Sequence, residues 1–431
     1  MYDLAIIGSG WAGLNAALKA RELGLEPVII EKSVLGGTCL NQGCIPTKSL
    51  IQSAKTYVLL QKSRTFGIEN NGTLSINFAD IQSRKEKIIQ QLRQGLEFML
   101  KGINIINASA EFISADTLKV NGDKIQAKRI LIASGSEPQE LSGLKFDNKK
   151  IVSSNEVLNL KELPRSILII GAGVIGCEFA SLFSGLGVRV AMLELTSQIL
   201  PGYDLDVSNK IKNCLEKKGV DIKTSVNASM ADIQKYDLAL VCVGRIPRVE
   251  GLGLEKAGVA VEKGRIVVDQ YLKTNIPNIY AAGDCIAGVM LAHYAAYQGK
   301  CIAVNLASTQ DLKKADSNNI PSCVFTDPEI GSVGLSEDQA QKAGFDVQVY
   351  KRDFLSSGMA RIMAETDGFV KLISDKMSNR ILGGSIIGPR ATELISILVM
   401  AIDSGLTLNQ LRGKIFPHPT LAELIPETIV D

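Results

Sequence analysis

Surplus charge, long apolar runs and histidine are absent or scarce in this sequence of 431 residues. The 47 Lys and Arg residues nearly balance the 45 Asp and Glu residues, which argues against nucleic acid or an anionic surface as a partner. No apolar run approaches the ~20 residues that a membrane-spanning helix needs, and the N-terminus lacks the basic start and cleavage site of a signal peptide. We therefore predict neither a nucleic-acid partner nor a membrane partner. Histidine occurs only at positions 293 and 418.

The eight cysteines comprise one close pair and six residues that are scattered singly along the chain. Cys39 and Cys44 lie together, whereas six others stand singly, several of them inside apolar runs: Cys177, Cys214, Cys242, Cys285, Cys301 and Cys323. One close pair among reduced single cysteines is typical of an intracellular protein with a catalytic disulfide, and not of a secreted disulfide scaffold. We predict a cytoplasmic protein with no metal site.

The cysteine pair sits in the stretch from Gly36 to Lys48, Gly-Gly-Thr-Cys-Leu-Asn-Gln-Gly-Cys-Ile-Pro-Thr-Lys. If this stretch opens a helix, the second sulfur lies about a turn and a half beyond the first, close enough for a disulfide if the first turn is distorted. Pro46 is tolerated near a helix start. The helix dipole makes a thiolate there reactive. The alternative is two buried small residues or a structural disulfide.

Two segments repeat one pattern of strand, Gly-x-Gly-x-x-Gly, helix, strand and acid. The loop glycines are Gly8, Gly10 and Gly13 in the first copy, and Gly171, Gly173 and Gly176 in the second. Glu31 and Glu194 each follow 18 residues after the third glycine. This pattern is typical of a dinucleotide fold, in which the loop approaches the pyrophosphate and the acid binds ribose. The repeat predicts two dinucleotides, although glycine-rich turns that bind nothing are the alternative.

These motifs resemble the disulfide-dependent flavoprotein reductases, and within that family the lipoamide branch. The resemblance covers essentially the whole chain through four motifs: the cysteine stretch, both glycine loops, Tyr280–Asp284, and His418-Pro419-Thr420 with Glu423. It implies an α/β protein with two Rossmann-like dinucleotide-binding domains and a C-terminal α+β dimerisation domain. We place the FAD domain at 1–147 and 261–318, the NAD domain at 148–260, and the dimerisation domain at 319–431.

The resemblance also assigns cofactor residues by position. The expected FAD residues are Gly8, Gly10, Gly13, Glu31, Gly37, Thr38, Lys48, Ala110, Ser134, Gly135, Asp284, Leu291 and Ala292. The expected NAD residues are Gly171, Gly173, Val174, Ile175, Gly176, Glu194 and Gly244. NAD is favoured over NADP because Glu194 would repel a 2′-phosphate and no Lys or Arg lies between Leu195 and Leu205.

Catalytic roles follow from the same resemblance. Cys39 would exchange with substrate and Cys44 would face the flavin. Lys48 would lie near flavin N5, with Glu178 as its acidic partner across the nicotinamide pocket. An imidazole suits proton transfer near pH 7, so His418 would be the base, oriented by Glu423.

The remaining expectations concern His293, the dimer and one departure from the family. His293 is expected to be structural. In the family the base comes from the partner subunit, which implies a homodimer with a shared active site. The lipoamide branch usually has His-x-His-Pro-Thr at the base, and Phe416 replaces the first histidine here.

The expected activity is oxidation of dihydrolipoyl groups to the disulfide with NAD⁺, through the Cys39–Cys44 disulfide and FAD. The expected partner is a lipoyl-bearing protein of a 2-oxo acid dehydrogenase or glycine cleavage system. One alternative is an NAD(P)H-dependent reductase of another small disulfide or a metal ion. An alternative of another class is a flavoprotein that serves as the docking subunit of a multienzyme complex.

Overall fold

The computed structural model describes residues 1–69, 72–308 and 310–430. The other four residues fall within the predicted segments 1–147, 261–318 and 319–431 and lie outside the described part. The strands are β1 (Tyr2–Ile7), β2 (Pro27–Glu31), β3 (Asn104–Asn107), β4 (Ala110–Ser114), β5 (Thr117–Val120), β6 (Asp123–Ile132), β7 (Ser136–Pro138), β8 (Ile151–Val152), β9 (Ser166–Ile170), β10 (Arg189–Leu193), β11 (Asp221–Lys223), β12 (Leu238–Val241), β13 (Arg245–Pro247), β14 (Val261–Glu262), β15 (Arg265–Ile266), β16 (Ile279–Ala281), β17 (Ser322–Val324), β18 (Glu329–Gly334), β19 (Val347–Asp353), β20 (Phe369–Asp375) and β21 (Ile381–Gly388).

The helices are α1 (Trp11–Glu22), α2 (Gly37–Gln42), α3 (Cys44–Gln61), α4 (Phe78–Met99), α5 (Ser154–Val157), α6 (Val174–Gly185), α7 (Leu205–Lys217), α8 (Met230–Ile233), α9 (Leu254–Ala257), α10 (Ala292–Ala307), α11 (Glu337–Lys342), α12 (Gly358–Ile362), α13 (Ala391–Asp403), α14 (Leu408–Arg412) and α15 (Leu424–Glu427). Among the described helices, none combines the length and the apolar character needed to cross a membrane.

The chain divides into two compact units. The first unit contains Met1–Ser49, Gln82–Gln139 and Gly244–Ser317. The second unit contains Leu50–Ile81, Glu140–Val243 and Asn318–Asp431. The first unit therefore combines most of the segments predicted to bind FAD. The predicted domain bounds themselves stay a prediction.

The first unit is built on a seven-stranded sheet in the order β3-β2-β1-β6-β5-β4, with β16 also paired to β6. The strands β1, β2, β3, β6 and β16 run parallel to their neighbours in this set. Helix α10 packs closely on α1, because a Cβ on Gly299 would lie 2.1 Å from the Ala12 carbonyl oxygen. Parallel strands place their carboxyl ends, and the loops that follow them, at one edge. The first glycine loop lies at this edge.

The second unit contains a parallel five-stranded sheet, in the order β11-β10-β9-β12-β8, and a mainly C-terminal sheet in the order β17-β18-β21-β20-β19. The C-terminal sheet is antiparallel throughout. Helix α13 covers it with buried Ile395 and Leu398. The predicted combination of two Rossmann-like folds with a C-terminal α+β fold is confirmed.

Candidate active site

The cysteine pair lies across a break between two helices. Helix α2 ends at Gln42, Gly43 takes a backbone conformation outside the helical region (φ −148°, ψ −111°), and α3 starts at Cys44. The pair therefore does not lie in one continuous helix. The helical path is distorted between the two cysteines. A disulfide between residues at this spacing requires such a distortion.

The Cys39 side chain is surrounded by groups that act on its charge. The hydrogen bond with Cys44, together with burial, raises the pKa of the Cys39 thiol. A side-chain hydrogen bond from Trp11 and the positive charge of Lys48 both act to lower it.

A cavity of about 370 Å³ opens within the first unit beside the glycine loop. Eight of the thirteen residues predicted to bind FAD line it: Gly8, Gly10, Glu31, Gly37, Thr38, Ala110, Ser134 and Gly135. The structure therefore brings together residues that lie more than a hundred positions apart in the sequence. Their roles as ligands stay a prediction.

Two of the three glycines in the first loop leave no room for a side chain, whereas the other one faces open space. A Cβ on Gly8 (φ +101°) would lie 2.4 Å from the Ala133 carbonyl oxygen, and a Cβ on Gly13 would lie 2.0 Å from the Gly8 carbonyl oxygen. A Cβ on Gly10 would meet nothing within 4 Å. The first and third glycines thus allow strand and helix to pack, whereas the second leaves space where a phosphate can approach the backbone.

Glu31 closes the first loop through hydrogen bonds. Its Oε2 accepts from the Ser9 backbone N–H at 2.7 Å and from the Ser9 hydroxyl at 2.7 Å, and its Oε1 accepts from the Ser33 N–H at 2.9 Å. These bonds fix the carboxylate at the end of β2, against the cavity. A fixed carboxylate with remaining lone pairs is what a ribose diol requires.

Asp284, also in the first unit, is held by a chain of hydrogen bonds. The Ser136 hydroxyl donates to Asp284 Oδ2 at 2.6 Å, and Arg245 Nε donates to the same hydroxyl at 2.7 Å. Leu291 and Ala292 form the N-cap and first residue of α10. The N-terminal end of a helix favours negative charge. Sequence reasoning missed Arg245, whose place depends on the pairing of β13 with β7.

The second glycine loop repeats the first. A Cβ on Gly171 (φ +100°) would lie 2.6 Å from the Cys242 carbonyl oxygen, and one on Gly176 would lie 2.0 Å from the Gly171 carbonyl oxygen. Gly173 is again open, with nothing within 4 Å. Val174 and Ile175 start α6, and Gly244, the other residue predicted to bind NAD, has φ +135°. Both loops therefore provide an unobstructed helix N-terminus for a pyrophosphate.

Glu194 is buried and fixed at the end of β10. Its Oε2 accepts from the Ala172 N–H at 2.6 Å, and its Oε1 accepts from both the N–H and the hydroxyl of Thr196 at 2.9 Å. Lys223, on the neighbouring strand, is paired with Asp221 at 3.6 Å. The residues of the two loops thus fit FAD and NAD: each loop has an open cradle, an N-terminal helix end and a preset carboxylate.

Glu178 lies on α6, two residues after Gly176 of the second glycine loop. It is only 3% exposed, and its Oε1 accepts from the Phe325 backbone N–H at 3.0 Å. Ser181, three residues later, accepts from the Asp327 N–H at 3.0 Å. Both contacts join α6 to the residues after β17, so the helix is held at its middle. The predicted role of Glu178 opposite Lys48 stays a prediction, since these residues belong to different units.

His418 and Glu423 form a hydrogen-bonded pair near the C-terminus. His418 Nδ1 lies 2.8 Å from Glu423 Oε1, and the histidine side chain is 82% exposed. The Thr420 backbone N–H donates to Glu423 Oε2 at 2.7 Å. This bond and the one with His418 lower the pKa of the Glu423 carboxyl. The carboxylate thus orients the ring and leaves Nε2 open for a proton. Phe416 packs partly buried on the C-terminal core.

Sequence reasoning also missed a second wall of the cavity. Arg248, Glu250 and Leu252 line it, although they lie far along the chain from the first glycine loop. The Arg248 N–H donates to the Gly135 carbonyl oxygen at 2.9 Å, and the Phe112 N–H donates to the Leu252 carbonyl oxygen at 2.7 Å. Hydrogen bonds between backbone groups do not depend on side-chain type. The sequence therefore contains no local pattern that would predict this segment. Across the described residues, no cluster of His, Cys, Asp or Glu could hold a metal ion.

If the cavity binds FAD, the purified protein should be yellow. We expect about one FAD per chain, released by acid or heat and measured by absorbance against protein concentration, because the chain has one such cavity among the residues predicted to bind FAD. A folded but colourless protein that takes up no added FAD would overturn the assignment of the first loop.

Known proteins match this chain along nearly its whole length. The profile described as pyridine nucleotide-disulphide oxidoreductase matches residues 2–299, and that of the corresponding dimerisation domain matches residues 320–429. A curated dihydrolipoyl dehydrogenase from Bacillus subtilis is 39% identical, covering 99% of this chain and 98% of the relative. One from Chlamydia muridarum is 40% identical, covering 99% and 96%.

A solved structure matches at the level of the fold and the sequence. The HOCl-induced flavoprotein disulfide reductase RclA from Escherichia coli has a TM-score of 0.88, with 32% identity over 98% of each chain. A Cu(II) complex of the same protein matches with a TM-score of 0.87 and 31% identity. The similarity thus extends through all the segments that carry the candidate site.

Proposed function

The chain belongs to the pyridine nucleotide-disulphide oxidoreductase family, and on this premise we propose that it oxidises dihydrolipoyl groups to the disulfide with NAD⁺ as acceptor. It is an FAD-dependent oxidoreductase that uses NAD. The observation that carries the choice of substrate is the hydrogen-bonded His418–Glu423 pair, in a chain that also holds the cysteine pair. Oxidation of a dithiol needs a base for the substrate thiol, and this pair supplies one.

The first step is proton transfer to His418. Glu423 holds Nδ1, so Nε2 is the nitrogen that takes the proton of a substrate thiol. The ionised carboxylate, whose pKa is lowered by the Thr420 N–H and by His418, stabilises the imidazolium that forms. The substrate thiolate then attacks the Cys39 sulfur. The Cys39–Cys44 bond breaks, and its electron pair stays on Cys44.

The second exchange releases the product. His418 releases the first proton to solvent and takes the proton of the second substrate thiol. The resulting thiolate attacks the substrate sulfur of the mixed disulfide, which forms the cyclic disulfide and expels Cys39 as a thiolate. Two electrons have then moved from substrate to the cysteine pair. Bound FAD supplies the two-electron chemistry that connects this pair to NAD⁺. Lys48 contributes positive charge next to Cys39.

The dimerisation-domain match supports a homodimer. We extend this to a shared active site, in which His418 of one subunit serves Cys39 of the other. The high exposure of His418 within its own chain supports this extension. The proposed partner is the lipoyl-bearing protein of a 2-oxo acid dehydrogenase or glycine cleavage system. We place the reaction in the cytoplasm, because one close cysteine pair among scattered single cysteines is typical of an intracellular protein.

Nicotinamide preference should depend on Glu194. The buried carboxylate repels a 2′-phosphate, and Glu194→Gln keeps its shape and accepting oxygen while removing its charge. We expect the variant to lose roughly tenfold or more of the ratio of kcat/KM for NAD⁺ over NADP⁺, and Glu194→Arg to narrow or reverse it. A wild-type protein with the higher kcat/KM for NADP⁺ would refute this assignment.

A second candidate is an NAD(P)H-dependent reductase of another small disulfide or a metal ion. The similarity to RclA, described as a disulfide reductase and seen with Cu(II), favours it. Steady-state assays decide between the two: dihydrolipoamide with NAD⁺ against NADH or NADPH with small disulfides or Cu(II). Our proposal requires the largest kcat/KM for dihydrolipoamide. A docking subunit without turnover would show neither activity, although the intact redox and base residues argue against it.

A further inference from the structure

A buried lysine in the C-terminal sheet takes no part in the proposed mechanism. Lys371 lies on β20, and its side chain is only 2% exposed. Its Nζ donates to both carboxylate oxygens of Asp204 at 3.0 Å, to Asp206 Oδ2 at 3.1 Å and to Glu337 Oε2 at 2.8 Å. A lysine is almost never buried this deeply unless it is paired. The groups that it holds therefore indicate what it does.

Asp204, the most buried of these carboxylates, ends the loop that follows Glu194. It is the N-cap of α7, and its Oδ1 also accepts from the Asp206 backbone N–H at 3.0 Å. The loop 195–204 begins directly after the acid that is predicted to bind the NAD ribose. Lys371 thus fixes the far end of this loop from the C-terminal sheet.

Hydrogen bonds within the loop connect this end to Glu194. Gln198 Nε2 donates to the Tyr203 carbonyl oxygen at 3.3 Å. The Thr196 hydroxyl oxygen lies 2.9 Å from the Gln198 carbonyl oxygen and 2.9 Å from Glu194 Oε1. A hydrogen-bonded path therefore runs through the loop, from the end that Lys371 fixes to the predicted ribose acid.

One residue of the loop has a backbone conformation that needs support. Leu200 is buried and has φ +48°, in the left-handed region that is unfavourable for a residue with a side chain. Such a conformation persists only where the surrounding structure holds it. The Leu200 N–H donates to the Ala172 carbonyl oxygen at 2.8 Å, and Ala172 belongs to the second glycine loop. The shape of the loop 195–204 is thus coupled to the cradle that is expected to receive the pyrophosphate.

We propose that Lys371 is a positioning residue for NAD⁺. By fixing Asp204, it holds the loop 195–204 in the form that places Glu194 and the second glycine loop for the adenosine half of the nucleotide. This inference deepens the proposed function, because it rests on the placement of NAD⁺ against Glu194. Lys371 acts through the loop and takes no part in the chemical steps. Its loss should therefore weaken nucleotide binding and leave those steps intact.

Lys371→Met in the holoprotein tests this role. Methionine replaces the apolar stem but removes the cation, so the carboxylates that it joined repel one another and Asp204 is released. ADP-ribose carries the adenosine half of NAD⁺ and cannot accept a hydride, and its binding is measured by titration calorimetry. We expect its Kd to rise about tenfold. The KM for NAD⁺ should rise by a similar factor, while kcat and the KM for dihydrolipoamide stay within about twofold of native.

Gln198→Met interrupts the same path at a partly exposed residue, and it keeps the test available if Lys371→Met does not fold. Methionine has the length of glutamine but no N–H to donate, and we expect a Kd for ADP-ribose at least roughly threefold higher. The two substitutions affect one path, so the double variant should bind about as weakly as Lys371→Met alone. Losses that multiply in the double variant would show independent effects and would overturn the inference.

Lys210→Met is the matched control. Lys210 also lies on α7, and its Nζ donates to Asp367 Oδ1 at 3.1 Å in a partly exposed pair. This variant should bind ADP-ribose with native affinity. A loss equal to that of Lys371→Met would overturn the inference, because any ion pair of α7 would then have the same effect. Native Kd values in both Lys371→Met and Gln198→Met would also overturn it.

Binding of ADP-ribose separates this inference from the proposed function. If the native holoprotein binds ADP-ribose but does not oxidise dihydrolipoamide, the proposed function fails, and the Kd values still decide the role of Lys371. Normal turnover with unchanged Kd values in the variants would refute the role of Lys371 alone. A native holoprotein that binds neither ADP-ribose nor NAD⁺ would refute both.

Discussion

Replacement of His418 by glutamine should slow the oxidation of dihydrolipoamide by about 10²–10⁴-fold, the range that general-base catalysis contributes. Glutamine keeps a polar side chain next to Glu423 but cannot take the substrate proton. The loss should appear in kcat with dihydrolipoamide and NAD⁺. It should be smaller at high pH, where the substrate thiol ionises without help.

Electron transfer from NADH to a one-electron dye is the control for this variant. That reaction needs the flavin and the nicotinamide site but no thiol base, so it should largely survive. His293→Gln is the matched control on the only other histidine, and it should retain dihydrolipoamide activity if His293 is structural. Equal losses in both histidine variants would contradict the assignment of His418.

Mixed dimers test whether the base acts across the subunit interface. Subunits with His418→Gln are mixed with subunits with Cys39→Ser under conditions that exchange chains. In a shared site, a mixed dimer has one site with both lesions and one with neither, so activity should return. If labelled subunits exchange and no activity returns, the base serves its own chain.

Replacement of either Cys39 or Cys44 by serine should abolish dihydrolipoamide oxidation, a loss of more than about 10⁴-fold. A serine hydroxyl cannot form the disulfide through which the electrons pass. The two variants should differ in their spectra. Cys39→Ser leaves Cys44, which is predicted to face the flavin as a thiolate, and should keep long-wavelength absorbance, whereas Cys44→Ser should lack it. The reverse outcome would exchange the roles of the two cysteines.

Cys323→Ser is the matched control for these variants. Cys323 is partly exposed, and its sulfur lies 3.8 Å from the Thr392 carbonyl oxygen. We expect near-native activity and spectra from it. A comparable loss in Cys323→Ser would show that serine substitution damages the fold in general, and the first two variants would then carry no information about redox roles.

The glycine loops illustrate what the sequence predicts well. Strand, turn and helix lie within 30 residues of each other there, and the steric needs of Gly8, Gly13, Gly171 and Gly176 are local. In both copies of the pattern, the acidic residue lies at the end of the second strand, as predicted, at Glu31 and Glu194. Local backbone geometry thus accounts for the part of the site that is predicted to hold nucleotides.

The parts that were missed depend on contacts between distant segments. Arg245 reaches Ser136 because β13 pairs with β7, and the wall from Arg248 to Leu252 is held by backbone hydrogen bonds. The break at Gly43 follows from its backbone angles rather than from a proline or a polar cap. The start of α2 lies against the first glycine loop because Gly37 and Gly10 approach closely. None of these contacts leaves a periodic or compositional pattern.

An anaerobic titration of the purified protein tests the central claim most directly. One equivalent of dihydrolipoamide per FAD should change the flavin spectrum, and subsequent NAD⁺ should restore the oxidised spectrum and yield NADH. The account requires electrons to pass from a dithiol through the cysteine pair and FAD to NAD⁺. A protein whose flavin spectrum changes with NADH but stays unaltered with dihydrolipoamide would contradict it.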